Sequence, residues 1–440
     1  MRTSTPPVRH RWFDDWRGAR GPALKALVAD VLAMVAAHEQ EAGARKRARR
    51  PEDRKHHETA VEAVVANLAY EVVRPSETGH MAVLTGNGPN GFTRYDNRAL
   101  GKPLRKLLGH FSVLNLIEWT RPKSLGEAFA FAPTEAFAEM VNRAGIVAAD
   151  FGRLDGQEVI VLSEKATIGS GSAAFTLKGL VDYPETPQTT AMRGKVRALN
   201  AFLADADITF VPDGGEVVDT RARTMRRHFS MPKGLPNAAP SFDRCGRLFG
   251  GFWQNMKSSR RAGIRIEGES IVNLDYGQMG ARLAYAHVGA TPPKGDIYAV
   301  PGLEAHRDAV KRALNCLLTD DYQRRRWPKE WSEEEEEAGA EARLPAGWTV
   351  AQTRGAILIR HPSLRQCMGV GLGMRTMYRE SEIMVAVLGE MMSRDIVGLG
   401  LHDGLLVQAS RAEETKAIMV DAAWSIASTD IPVGVSGGPL

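Results

Sequence analysis

Two apolar runs in the C-terminal half each carry one carboxylate where a carboxylate is costly. In IVNLDYGQMGARL (271–283), Asp275 closes an extended apolar segment just ahead of a helix-like stretch. In IVGLGLHDGLLV (396–407), Asp403 sits inside an apolar segment, between His402 and Gly404. Such runs read as buried strands. The second, apolar on both sides of His-Asp-Gly, reads as a hairpin with the acid at its tip. An unpaired carboxylate in a buried strand is strongly disfavoured. A bound divalent cation removes that cost. Two carboxylates on adjacent strands can hold two such ions about 3.5–4 Å apart, the arrangement used for in-line phosphoryl transfer. Either Asp alone is better explained by a cap or a turn, so its neighbours decide the matter.

HRDAVKRALNCLL (306–318) supplies neighbours. Arg307 and Lys311 are four apart and share one face of a helix. Leu303, Val310, Leu314 and Leu317 form an apolar stripe beside them. A cationic ridge next to a buried stripe suits a triphosphate tail, although a solvated helix face explains this segment better when taken by itself. GRLFGGFWQNM (246–256), with Arg247 and Gln254, precedes the first acidic run.

Charge and cysteine content narrow the class. The formal net charge of +5 over 440 residues is modest, so any preference for anionic partners rests on how the charge is distributed. Basic clusters occur at 44–57, 221–228, 257–265 and 324–329, and the acidic run at 332–342 is the only one of its kind. The clusters could line a surface that tracks a phosphate backbone, or simply be solvated faces. The three cysteines, Cys245, Cys316 and Cys367, have no CxxC spacing, which argues against a zinc site and a disulfide framework and fits a reducing compartment. The first residues lack an apolar secretory core, and no apolar run approaches the ~18 residues of a membrane span. A cytoplasmic protein without a membrane partner is expected.

Toward the N-terminus, 22–40 and 57–71 read as helices. Gly86, Gly88 and Gly91 have GxGxxG spacing after the strand-like MAVL, which raises a dinucleotide fingerprint. A proline inside it, the absence of a helix opening directly after it, and its Asn-Gly pairs favour a hairpin or loop instead. In 95–141, Leu100, Leu104, Leu107 and Leu108 have helical spacing, with Arg98, Lys102, Arg105 and Lys106 on the outer face, and LIEWTR and AFAFAP then flank a short loop. This resembles a winged helix-turn-helix, which implies DNA contact through Arg98, Arg105 and Lys106; helix-plus-hairpin units also occur as plain structural pieces. A strand is expected at VIVLS, a helix over 189–204, a turn-rich boundary at 211–220 and an exposed loop over 326–346. The expected organisation is a basic helical region over 1–150, a connecting or thumb-like region over 151–242, and a third region over 243–440.

That third region resembles the family A polymerases, the group that includes bacterial DNA polymerase I, with a likeness to single-subunit phage polymerases. DYGQMGARL is similar to the family's DYSQIELR motif, Arg307 and Lys311 to its Arg-x3-Lys fingers helix, LHDGLLV to its HDE motif, and GRLFGGFWQN to its GR…LQN segment, two residues shorter. The tail AEETKAIMVDAAWSIASTDIPVGVSGG resembles the family's last helix and strand. The resemblance implies an α+β fold: a palm with an antiparallel sheet and a helical fingers-like insertion over 300–360. It implies Asp275 and Asp403 as catalytic metal ligands, with the Tyr276 carbonyl, for Mg²⁺ or Mn²⁺. It implies Arg307, Lys311, Gly280 and Asn315 at the incoming nucleoside triphosphate, and Arg247, Gln254 and His402 at the DNA primer–template or single strand.

Departures from the family matter. Asn315 and Thr319 stand where it has an aromatic residue and a Tyr, with Tyr322 nearby, and Gly404 replaces the Glu of HDE. No Asp-x-Glu exonuclease signature is visible in 1–240, so no proofreading site is expected. Gly280 falls where DNA-specific members carry a Glu that excludes a 2′-hydroxyl. It either leaves room for ribose or is required for helix–sheet contact. The expectation is a small template-directed DNA polymerase-like nucleotidyltransferase, open to ribonucleotides. The alternatives are a primase or RNA polymerase-like enzyme, and a catalytically inactive nucleic-acid-binding replication protein.

Overall fold

The computed structural model describes residues 10–43, 47–83, 93–101, 103–120, 128–168, 175–232, 239–328, 343–345 and 347–436. The glycine-rich stretch at 85–92, Lys102 and the acidic run at 332–342 lie outside these residues. The chain forms two compact units, residues 1–158 and 159–440, and both mix helices with strands, as an α+β chain does.

The first unit begins with strands β1 (Arg11–Trp12) and β2 (Arg17–Ala19). Helices α1 (Pro22–Glu41) and α2 (Pro51–Val73) follow, and β3 is Met81–Val83. Both helices open on a proline, whose fixed φ and missing N–H suit a first helical position. Leu24, Leu27, Val31 and Val35 of α1 recur at helical spacing and join Val61, Val64, Val65 and Leu68 of α2 in one core. Next come α3 (Pro103–Val113), β4 (Ile117–Thr120), β5 (Phe129–Pro133), α4 (Glu135–Arg143) and β6 (Phe151–Arg153). The strands form a sheet of order β1-β3-β5-β4 and a separate β2-β6 pair. Pro103 starts α3 afresh, so Arg98–Leu100 form their own 3-10 turn, capped by the Asn97 side chain, and Leu100 lies outside the helix.

The second unit holds β7 (Ile160–Ile168), β8 (Phe175–Leu180), α5 (Pro187–Asp205), β9 (Ile208–Phe210), β10 (Arg226–Ser230) and β11 (Cys245–Phe249). A four-stranded sheet of order β11-β10-β7-β8 ties residues on either side of 242 together, so the connecting region from 159 on is part of this unit, while 151–158 belong to the first. The short helices α6 (Phe252–Asn255) and α7 (Ser258–Arg261) lead to β12 (Ile264–Ile266), β13 (Glu269–Tyr276) and α8 (Met279–His287). Then follow α9 (Arg307–Thr319), α10 (Val350–Arg360), α11 (Gly373–Ser393), β14 (Leu399–Leu401), β15 (Gly404–Gln408), α12 (Ala412–Ala427) and β16 (Val433–Ser436).

The sheet that carries Asp275 has the order β14-β15-β13-β12-β9, with β16 also paired to β13. β13 runs antiparallel to β15 and to β16. Beside it, Leu303, Val310, Leu314 and Leu317 are buried with Tyr285 and Ile357 in a core that joins α8, α9 and α10. The stripe seen in the sequence therefore faces inward and leaves the Arg307–Lys311 face outward. Among the described residues no helix is long and apolar enough to cross a membrane.

Candidate active site

Strand pairing brings the two acids together. Asp275, next to last in β13, is the register partner of Gly404, and the Tyr276 amide donates to the Asp403 carbonyl at 3.1 Å. His402 and Asp403 form the tip of the β14–β15 hairpin, and His402 adopts φ 56°, a left-handed conformation uncommon for a residue with a side chain. Gly404 is required where it stands. A Cβ there would lie 2.7 Å from Asp275 Oδ1 and 2.7 Å from the Leu274 carbonyl oxygen. The Glu of the family's motif cannot be accommodated at 404 while the Asp275 carboxylate keeps this position.

Both acids open on a pocket of about 440 Å³. Burial of its surroundings and the neighbouring Asp403 push the Asp275 carboxyl up to about 6, with Lys311 opposing the shift. Arg307, Lys311 and Asn315 of α9 also line the pocket. Arg307 is joined through Nε to Asp296 at 2.6 Å and lies 5.3 Å from the centre of the Tyr298 ring. Gln278, itself at φ 62°, donates to the same Asp296 carboxylate at 2.7 Å. Gly280 also lines the pocket, and a Cβ there would meet only Asn315 Oδ1, at 3.6 Å, an ordinary contact. Packing therefore does not require a glycine at 280, which removes one of its two explanations. Thr319 lines the pocket; Tyr322 does not, and is 52% exposed.

The other anticipated residues are placed differently. The Tyr276 ring is buried and its hydroxyl donates to the Met419 carbonyl at 2.5 Å, so only its backbone is available to the pocket. Gln254 does not line the pocket: its amide donates to the Leu248 and Gly400 carbonyls and accepts from the Gly250 amide, bracing the hairpin. Trp253 Nε1 donates to the same Gly400 oxygen at 2.9 Å. His402 stacks edge-on against Phe249 at 5.2 Å, and burial together with Arg247 lowers its pKa. Arg247 reaches the pocket while held in a two-pronged bond to Glu380, which also lines it. Glu380 and Asp296 escaped the sequence reading. Glu380 had a signal: it stands on the apolar stripe of α11, with Ile383, Met384 and Val387. Arg98, Arg105 and Lys106 belong to the first unit and are exposed, with the Arg105 guanidinium 5.6 Å from the centre of the Phe129 ring.

Fold and site together define an α+β chain in which one carboxylate on a strand, Asp275, and one at a hairpin tip, Asp403, line the same pocket as a helix-borne Arg and Lys. No protein-family model and no curated protein sequence matches the chain. Among solved structures it is similar to the POL domain of Pol1 from M. smegmatis in complex with DNA primer-template and dNTP, at 12% identity, over 94% of this chain and 69% of that one, with a TM-score of 0.30. A likeness at that TM-score does not establish a shared fold.

Proposed function

We propose that the chain is a template-directed nucleotidyltransferase, a small family A-like polymerase that joins nucleoside triphosphates to a nucleic-acid 3′-hydroxyl. One observation carries this: Asp275 and Asp403 converge at neighbouring strand ends, in one pocket with Arg307 and Lys311. Carboxylate oxygens, crowded enough to raise the Asp275 pKa, suit a hard divalent cation such as Mg²⁺ or Mn²⁺. Asp275 and Asp403 would hold the metal, with the Tyr276 carbonyl as a further donor. When bound, the metal supplies charge stabilisation for in-line attack on the α-phosphate.

The chain's own residues do the positioning. Lys311 and Arg307 take the triphosphate from the α9 side and set it across the pocket from the acids. Asp296 fixes the direction of the exposed Arg307 guanidinium. Arg247, in the pocket, and His402, next to Asp403 but outside the pocket lining, would meet the end of the strand being extended. The open space at Gly280 favours an enzyme that also accepts ribonucleotides. Incorporation of labelled dNTPs and NTPs on primed and unprimed single strands, with Mg²⁺ or Mn²⁺, tests this. Asp275→Ala and Asp403→Ala should each abolish incorporation while the chain stays folded and keeps a DNA affinity close to wild type. A variant lacking either carboxylate that extends at the wild-type rate removes the assignment.

A further inference from the structure

Glu380 is 5% exposed, yet it faces the same pocket as the acids. Its two carboxylate oxygens accept from Arg247 Nε at 2.6 Å and Nη2 at 3.0 Å. Arg247 in turn lies in the field of Asp403. The guanidinium is thus held by a buried carboxylate while it also feels Asp403. Nη1 makes no protein hydrogen bond among the described residues, so a donor remains for a substrate atom.

A purely mechanical role for the pair is less apt, because the same joint is already fastened. On the neighbouring strand β10, Arg227 is 2% exposed, donates to the Gly246 carbonyl at 2.8 Å, and binds Ser381 and Glu382 of α11. Arg227 does not line the pocket, and its side chain links β10, β11 and α11 away from it. Arg247–Glu380 repeats that link at the face where chemistry is proposed. Left without Glu380, Arg247 would be drawn to Asp403 and would set a positive charge against any cation bound there.

We propose that Glu380 is a positioning residue for nucleotidyl transfer, acting through Arg247, which it holds in a fixed fork beside Asp403. This rests on the nucleotidyltransferase reading of the site. A bidentate pair fixes direction as well as charge, and a displacement of about 1 Å at such a site reduces rate by roughly 100-fold.

A double-mutant cycle tests it. Glu380→Gln keeps an acceptor and the side-chain shape but removes the charge. Expected is a loss of roughly 10- to 100-fold in kcat with little change in nucleotide KM and an unchanged thermal midpoint. In an Arg247→Ala background the same change should cost nothing more. Arg247→Lys, which keeps the charge and loses the fork, should reproduce the kcat loss. Equal losses from Glu380→Gln in both backgrounds, or a loss that follows a fall in thermal midpoint, would overturn the proposal. Primer–template affinity without metal separates this from the parent reading. If the wild type incorporates nothing but binds DNA, the polymerase assignment fails, and the pair is upheld only if Glu380→Gln weakens binding when Arg247 is present. If the wild type neither incorporates nor binds, both fall.

Discussion

In an unfolded chain Asp275 ionises near its ordinary 3.8; in the fold its carboxyl is pushed up to about 6. The folded state therefore resists the ionised form. That penalty is complete above about pH 6 and disappears as pH falls from 6 toward 3.8. Without metal, Asp275→Asn should raise the thermal midpoint at pH 7–8 and leave it unchanged near pH 4. Mg²⁺ should raise the wild-type midpoint at pH 7 more than that of the variant. Equal midpoints at pH 8 in EDTA would show that Asp275 is not crowded. Gly404, beside Asp403, and Gly280, in the pocket lining, make a second contrast. Gly404→Ala places a Cβ 2.7 Å from both a carboxylate and a backbone oxygen, and should destabilise the fold by ~1–3 kcal/mol. Gly280→Ala meets only Asn315 Oδ1 at 3.6 Å and should be tolerated. Gly280→Glu should depress ribonucleotide use over deoxyribonucleotide use by roughly 10–200-fold, read from the ratio of kcat/KM values. Equal loss with both sugars would mean that the side chain blocks the pocket as a whole.

At the scale of elements, α3 is followed by the β4–β5 pair of the first unit, and β5 also pairs with β3, so the hairpin is part of a four-stranded sheet. Leu104, Leu107, Leu108 and Phe111 bury one face of α3, and Arg105 and Lys106 are left outside with Arg98 on the preceding turn. If this face meets phosphates, replacing Arg98, Arg105 and Lys106 by Gln in the full chain should weaken duplex binding. The log–log salt slope should fall by about 0.9 for each phosphate no longer neutralised. An unchanged slope would make this unit a structural or protein-docking piece. The hairpin at 399–408 was visible in the sequence because apolar residues flank a polar tip. Its bracing was not: nothing in FWQN says that Trp253 and Gln254 both reach one carbonyl, that of Gly400.

Across the whole molecule, what the sequence disclosed was local: the carboxylate at the end of an apolar strand, the outward Arg307–Lys311 face, the long helices of the first unit. What it concealed depended on residues far apart. Glu380 meets Arg247 from another element, and Asp296 is an ordinary loop acid until Arg307 and Gln278 converge on it. The 151–242 stretch looked like a connector because its turn-rich 211–220 segment hides the parallel pairing of β10 with β7. Parallel partners need long crossovers, and sequence spacing leaves no mark of them.

The strand that carries Asp275 has β15 along one edge and β12 and β16 along the other. Val433 through Ser436 pair directly with Asn273 through Tyr276. During synthesis, then, residues 269–276 leave the ribosome long before either of their late partners exists. Beyond its short pairing with β12 at 269–270, the strand that carries Asp275 waits for residues 404–408 and 433–436, and contacts so distant in sequence form slowly and leave strand edges open to other chains meanwhile. A ribosome stalled before that point carries a nascent chain in which the strand bearing Asp275 lacks its β16 neighbour, so this part of the sheet is complete only once residues 433–436 have emerged.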